Sequence, residues 1–391
     1  MSRMLTKGFE VEMYTGRPDG TVVGCSAEAR TALPDLAMAI EPDRRNLEYI
    51  TPPDADYGRQ LQHLLIPRQR LRGWLAGRGL TLLPGSTLSL GDSHRFERSD
   101  PANPYHAYIA ATYGTRVVTA SVHINIGLPD AESILAACRL LRCEAPLLLA
   151  LSASSPFLDG APTGAHSQRW LQFPHTPERV PLFLDHDHYQ QWMGAEIIAG
   201  RMQNVRHLWT SARPNGIDRP RLLNRVELRI CDLLADPLHL LAITALAEGR
   251  LRQLLDDPRN LDPLQASRLT PAELADLADA NERSAARSSL EATLQHWQNG
   301  ESLRARDWIA ELLAETAARH DDLRPWLAPL DTILAEGNEA MTWLDALHAG
   351  SSPAAIVAQA TRTMADQEQR LMADLDRPAA VGTVQPTDAL G

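Results

Sequence analysis

The ionisable side chains Glu10, Glu12, Glu48, His123, Glu227 and Arg229 repeat one design along the chain. They stand in Phe9-Glu10-Val11-Glu12-Met13, Leu47-Glu48-Tyr49, Val122-His123-Ile124 and Val226-Glu227-Leu228-Arg229-Ile230, with apolar residues between them. In a strand, successive side chains point to opposite faces, so each segment has an apolar back and an ionisable front. Asn125 shares the front of His123. Placed in one sheet, these fronts converge on one concave surface. The carboxylates there repel one another and ionise poorly without countercharge. Divalent cations supply it, and hard oxygen ligands with one imidazole suit Mg2+ or Mn2+. Magnesium usually shares its shell with substrate phosphates, which leads to a nucleotide triphosphate. Arg229 is then placed to offset charge on a transferring phosphoryl group. A single Glu-x-Glu is ordinarily a solvated face, and a lone strand histidine is ordinarily structural. The recurrence in four segments is what favours a site.

The elements that must position these residues are legible as alternation. Gly8 to Tyr14, Asn46 to Thr51, Thr115 to Leu128 and Asn224 to Asp232 read as strands. Leu61 to Gly77 reads as a helix, Pro129-Asp130 opens a second, and Asp236-Pro237 a third, with a capping aspartate and a proline at the first helical position. Loops rich in Gly, Pro and Ser run from Leu83 to Pro104, Ser152 to Pro181 and Arg213 to Leu223, long enough to enclose a substrate. From about residue 256 the pattern turns helical. Thr270-Pro271-Ala272-Glu273 is a capping-box start, and further helices are expected near Leu303 to Ala318, Leu323 to Leu334 and Ala354 to Leu375. The expected organisation is α+β: a sheet domain over 1–255, a helical part over 256–376 packed on it, and a flexible tail over 377–391.

Composition narrows the function. The net charge is −11, which disfavours sequence-independent nucleic-acid binding. Lys7 is the only lysine and follows no glycine-rich loop, so a P-loop is excluded. Cys25, Cys138, Cys143 and Cys231 form no C-x-x-C pair; core packing and a reducing cytoplasm are expected for them. The longest apolar-rich stretch, Ala145 to Ala153, is too short to span a bilayer, and no signal peptide is visible.

Several blocks resemble one family in order. Gly8-Phe9-Glu10-Val11-Glu12-Met13-Tyr14 resembles the opening strand of the glutamate–cysteine ligases, in the branch first described in cyanobacteria. Glu41-Pro42-Asp43-Arg44-Arg45-Asn46-Leu47-Glu48-Tyr49, Pro84 to Asp92, Ala120 to Gly127, Leu151 to Phe157 and Asn224 to Asp232 continue the resemblance. It implies a glutamine-synthetase-like fold, an antiparallel sheet forming a half-funnel with helices outside. It implies ATP and Mg2+, with L-glutamate phosphorylated on its γ-carboxylate and the amine of L-cysteine attacking the acyl phosphate. Carried over by position, Glu10, Glu12, Glu48, His123 and Glu227 are the expected metal ligands, and Arg229 the phosphate-side arginine. Arg213 and Arg116 are candidates for the α-carboxylate of glutamate, because a guanidinium grips a carboxylate by two parallel bonds. Ser154 and Asn125 are candidates for the substrate pocket. Two alternatives stay open: a ligase for another amine, and a non-enzymatic nucleotide-binding or metal-binding protein.

Overall fold

The computed structural model describes residues 4–375; the expected tail lies outside the described residues. A strand β1 (Lys7–Gly16) forms the centre of the main sheet. β2 (Met38–Ala39), β3 (Asn46–Ile50), β4 (Thr81–Leu83) and β5 (Val122–Gly127) follow it in the chain. β6 (Phe157–Leu158) and β7 (Ala161–Pro162) make a separate ribbon, as do β10 (Thr293–Gln295) and β11 (Ser302–Arg304). With β8 (Ala212–Asn215) and β9 (Arg225–Leu228) the main sheet runs β2-β3-β1-β5-β9-β8, and β4 pairs with the far end of β1. All its pairings are antiparallel.

The register decides the faces. Glu12 lies opposite Glu48, Glu10 opposite His123, Asn125 opposite Glu227, and Arg213 opposite Glu227. Directly opposed residues of antiparallel strands share a face. The front read from alternation is therefore one surface of one sheet. The back carries Phe9, Val11, Met13, Leu47, Tyr49, Val122, Ile124, Ile126, Val226 and Leu228, each at most 1% exposed. The helices Ala131–Ser152, Pro237–Asp256 and Tyr57–Ala76 lie behind the sheet and contact one another or its strands. Ala131–Ser152 is buried on every side from Cys138 onward, because the helix Pro271–Ser288 covers its outer face. Its buried charges are matched: Arg139 with Asp262, Arg142 with Asp279 and Glu144 with Arg250. The capping box of Thr270 and Glu273 and the caps of Asp130 and Asp236 form as expected.

Four local expectations change. Gly114–Val117 is a turn of 3-10 helix, so the strand expected from Thr115 begins only at Val122. The helix Tyr57–Ala76 starts four residues before the expected Leu61, because the Asp56 carboxylate accepts the Arg59 amide hydrogen and caps it. Arg213 begins no loop; it lies in the edge strand β8. Leu323 to Leu334 splits into Arg324–Leu327 and Pro329–Glu336, since Pro329 lacks the amide hydrogen a continuous helix needs. No helix among the described residues is long and apolar enough to cross a membrane.

Candidate active site

Three adjacent strands bring Glu10, His123 and Glu227 together, with a ligand-capable atom of each within 4.8 Å of the others. His123 Nδ1 lies 2.8 Å from Glu10 Oε2 and 3.9 Å from Glu227 Oε1, and its Nε2 lies 3.7 Å from Glu12 Oε1. Ser121 donates its hydroxyl hydrogen to Glu12 Oε2 at 2.7 Å. These contacts follow from the register, because His123 and Glu10 are cross-strand neighbours.

Glu227 is fully buried, and its two oxygens are heavily engaged. Arg213 donates to it from Nε and Nη2, both at 2.9 Å, Arg229 from Nη1 at 2.7 Å and Asn215 from Nδ2 at 2.5 Å. Burial alone would raise the pKa of this carboxyl, but Arg213, Arg229 and His123 outweigh it and hold it well below the usual range. Burial and Glu227 push Glu10 upward, and His123 and Arg229 reverse that to a net lowering. Arg229 Nη1 also lies 3.4 Å from His123 Nδ1. Its guanidinium thus acts as countercharge for Glu227 within the cluster.

The other end of the front behaves oppositely. Burial raises Glu12, and burial with repulsion from Glu41 raises Glu48 well above the carboxylate range. Burial raises Glu41 too, and its carboxyl shares a hydrogen bond with that of Glu48. Burial and mutual repulsion outweigh the attraction of Arg169 for Glu12 and of Arg229 for Glu41. Oxygen donors of this kind beside one imidazole fit Mg2+ or Mn2+; Glu10, His123 and Glu227 stand close enough to share one ion, and Glu12 and Glu48 continue the same front. Glu227 Oε1 already accepts from Arg213 Nη2 and Arg229 Nη1.

The cluster opens into a cavity of about 750 Å3 whose wall includes Glu10, Glu12, Glu41, Glu48, His123 and Arg229. Arg169, Arg206, Arg219 and Arg225 line it as well, so acidic and cationic groups face one space. Arg219 is notable because its buried Nη1 has no hydrogen-bond partner among the described residues. A guanidinium left open in a cavity wall is a place for an anion. Arg169 is tied down: it donates to the carbonyls of Ile230 at 3.0 Å and Arg229 at 2.8 Å.

The substrate candidates separate on inspection. Arg213 reaches the wall, but four of its five N–H bonds go to Glu227 and to the carbonyls of Arg206 and Leu208. It is therefore the partner of Glu227 rather than an open carboxylate clamp, because the register sets the two opposite each other. Arg116 is exposed on the 3-10 turn, donates to the Tyr113 carbonyl and does not line the cavity. Ser154 is buried away from it, donating its hydroxyl to the Leu233 carbonyl and its amide to Asp232. Asn125 lies 3.4 Å from Glu10 Oε1 and accepts from Arg225 Nε at 2.9 Å, on the wall of a neighbouring cavity of about 880 Å3 that Glu10 also lines. Glu41, Arg169 and Arg219 went unread, since each lies outside an alternating strand. Only the Glu41 block carried a signal, through the family resemblance.

Residues 6–370 match the family described as glutamate–cysteine ligase family 2. A Rubrobacter xylanophilus protein, provisionally named glutamate–cysteine ligase 2-1, is 29% identical over 260 residues, which are 64% of this chain and 68% of that one. A Sorangium cellulosum protein, provisionally named glutamate–cysteine ligase 2, is 31% identical over 199 residues, 49% of each chain. The matched stretch thus spans two-thirds of one relative and half of the other. Among solved structures, a Francisella tularensis glutamate–cysteine ligase in complex with AMP superposes with a TM-score of 0.74 at 13% identity, covering 96% of this chain and 92% of that one. That likeness establishes the glutamine-synthetase-like fold, mixed helix and antiparallel sheet.

Proposed function

The chain belongs to glutamate–cysteine ligase family 2, and from that membership we propose that it joins the γ-carboxylate of L-glutamate to the amine of L-cysteine at the expense of ATP. The observation that carries the reading is the meeting of Glu10, His123 and Glu227 at the wall of a cavity that Glu10, His123 and Arg229 line, with Glu227 buried behind them. Glu10, Glu12, Glu48, His123 and Glu227 would hold Mg2+ or Mn2+, which when bound neutralises phosphate charge and polarises the γ-phosphoryl group. Arg229, on the same front, offsets charge on the phosphoryl group in transfer. Arg219 offers its Nη1, which has no hydrogen-bond partner among the described residues, to an anionic end of a substrate. All four cysteines are free and buried, which suits the cytoplasmic setting we assign to the reaction.

The test is a coupled assay of ADP release with ATP, Mg2+ and L-glutamate. Hydroxylamine as acceptor should yield a γ-glutamyl hydroxamate, and L-cysteine should release ADP faster than glycine. Failure with hydroxylamine removes the acyl-phosphate chemistry. Success with hydroxylamine but equal release with cysteine and glycine removes cysteine and leaves a ligase for another amine. Glu10→Gln should lower turnover about a hundredfold, the scale of losing one electrostatic group at a transition state, with unchanged circular dichroism.

A further inference from the structure

A third cavity, of about 580 Å3, lies among the helices Pro237–Asp256 and Ala305–Arg319 and shares no wall residue with the acidic cluster. Gln253 and Trp308, 3% and 1% exposed, form its deep side. Gln253 Nε2 and Trp308 Nε1 have no hydrogen-bond partner among the described residues. The amide orientation of Gln253 is fixed, because its Oε1 accepts from Arg250 Nη1 at 2.6 Å. The unmatched group is thus an NH2 donor, and an indole N–H can only donate. His296 adds a third donor. Its Nδ1 accepts the Gln298 amide hydrogen at 3.2 Å, and burial keeps the ring neutral, so Nε2 carries the hydrogen. Buried donors without acceptors are costly, so Gln253 and Trp308 ask for one, and half-buried His296 can donate beside them.

The mouth has the opposite character. Asp256, Asp257 and Glu311 are exposed there. The nearby cations are already matched: Arg250 donates to both oxygens of Glu144, at 3.1 and 2.8 Å, and Arg319 lies 3.2 Å from Glu315. Negative charge is therefore in surplus at the mouth. Donors inside and carboxylates outside call for a molecule with an anionic end and separate positive charge. We propose that this cavity binds a cationic α-amino acid, its carboxylate toward Gln253, His296 and Trp308 and its cationic groups at Asp256, Asp257 and Glu311. The volume is within the range of small-molecule sites. The inference is independent of the catalytic reading.

Isothermal titration of the full chain with L-arginine tests it, with cadaverine as a dication that lacks a carboxylate. L-arginine should bind saturably and at least about tenfold tighter than cadaverine, and saturating L-glutamate should not displace it. Trp308→Phe keeps a ring and removes the donor; it should weaken L-arginine about tenfold, the scale of one hydrogen bond to a charged group. Asp256→Asn with Asp257→Asn, on the surface, should weaken it by a similar factor and carries the test if Trp308→Phe unfolds. Absence of saturable binding, equal binding of cadaverine, displacement by glutamate, or wild-type affinity in the surface double variant would overturn the proposal.

Discussion

Glu282 lies 2% exposed in the helix Pro271–Ser288, where Trp170 Nε1 donates to its Oε2 at 3.2 Å. Burial pushes this carboxyl up to about 7, with Arg142 opposing only in part. In the unfolded chain it titrates near the usual 4.5. The folded state therefore holds the proton more tightly. Its stability is fully present below about 4.5 and is lost as pH rises from there to about 7. Glu282→Gln removes the titration. Its stability relative to the parent protein should grow by about 2–3 kcal/mol between about pH 5 and about pH 8, as read by urea unfolding; a difference that does not change with pH would show that Glu282 titrates normally. The same scale shows why the front residues could be read in advance. Glu10, Glu12, Glu48, His123 and Glu227 each break an apolar alternation, and strand geometry alone then fixes their side. Arg213, Arg219 and Arg169 break no such pattern. Their partners are Glu227, an open cavity and two backbone carbonyls, which only the folded chain brings near.

At the scale of elements, β8 was hidden by its own composition. Pro214 reads as a breaker, yet β8 is an edge strand, where a missing amide hydrogen is tolerated. In the opposite sense, Thr115, Val117 and Val118 are β-branched and read as strand, but they lie in or beside a 3-10 turn. The turn from β8 to β9 is tightly closed at Gly216. A Cβ there would stand 1.9 Å from the Leu222 carbonyl oxygen and 2.6 Å from Leu223 Cα, both backbone atoms. Gly216→Ala must therefore open the turn that carries Arg219 and abuts Asn215. We expect a loss of about 1–3 kcal/mol, the usual scale of overpacking, and a raised KM for glutamate. Thermal unfolding and initial rates measure the two effects, and an unchanged melting temperature would mean the turn relaxes without strain.

At the scale of the molecule, the question is whether residues 1–255 stand alone beneath the C-terminal helices. One hydrophobic cluster runs from Phe9 through Leu149 and Leu277 to Met364, so the core does not stop at residue 255. Charge pairing crosses the same boundary. Arg139 holds Asp262 by two bonds, at 2.8 and 2.6 Å, and Arg142 reaches Asp279 at 2.9 Å. Both arginines are at most 5% exposed. A chain ending at residue 255 would remove their carboxylates and bare the outer face of Ala131–Ser152, the helix that backs β8 and β9. Removing one member of a buried ion pair costs about 3–5 kcal/mol, and a whole domain is stable by only about 5–15 kcal/mol. Losing both pairs and the apolar cover together exceeds that margin. The 1–255 chain should therefore lack a cooperative thermal transition and bind a hydrophobic dye, whereas the full chain unfolds in one step. A sharp, independent melting transition of 1–255 would mean that the sheet carries its own core, and that Pro271–Ser288 covers it without holding it.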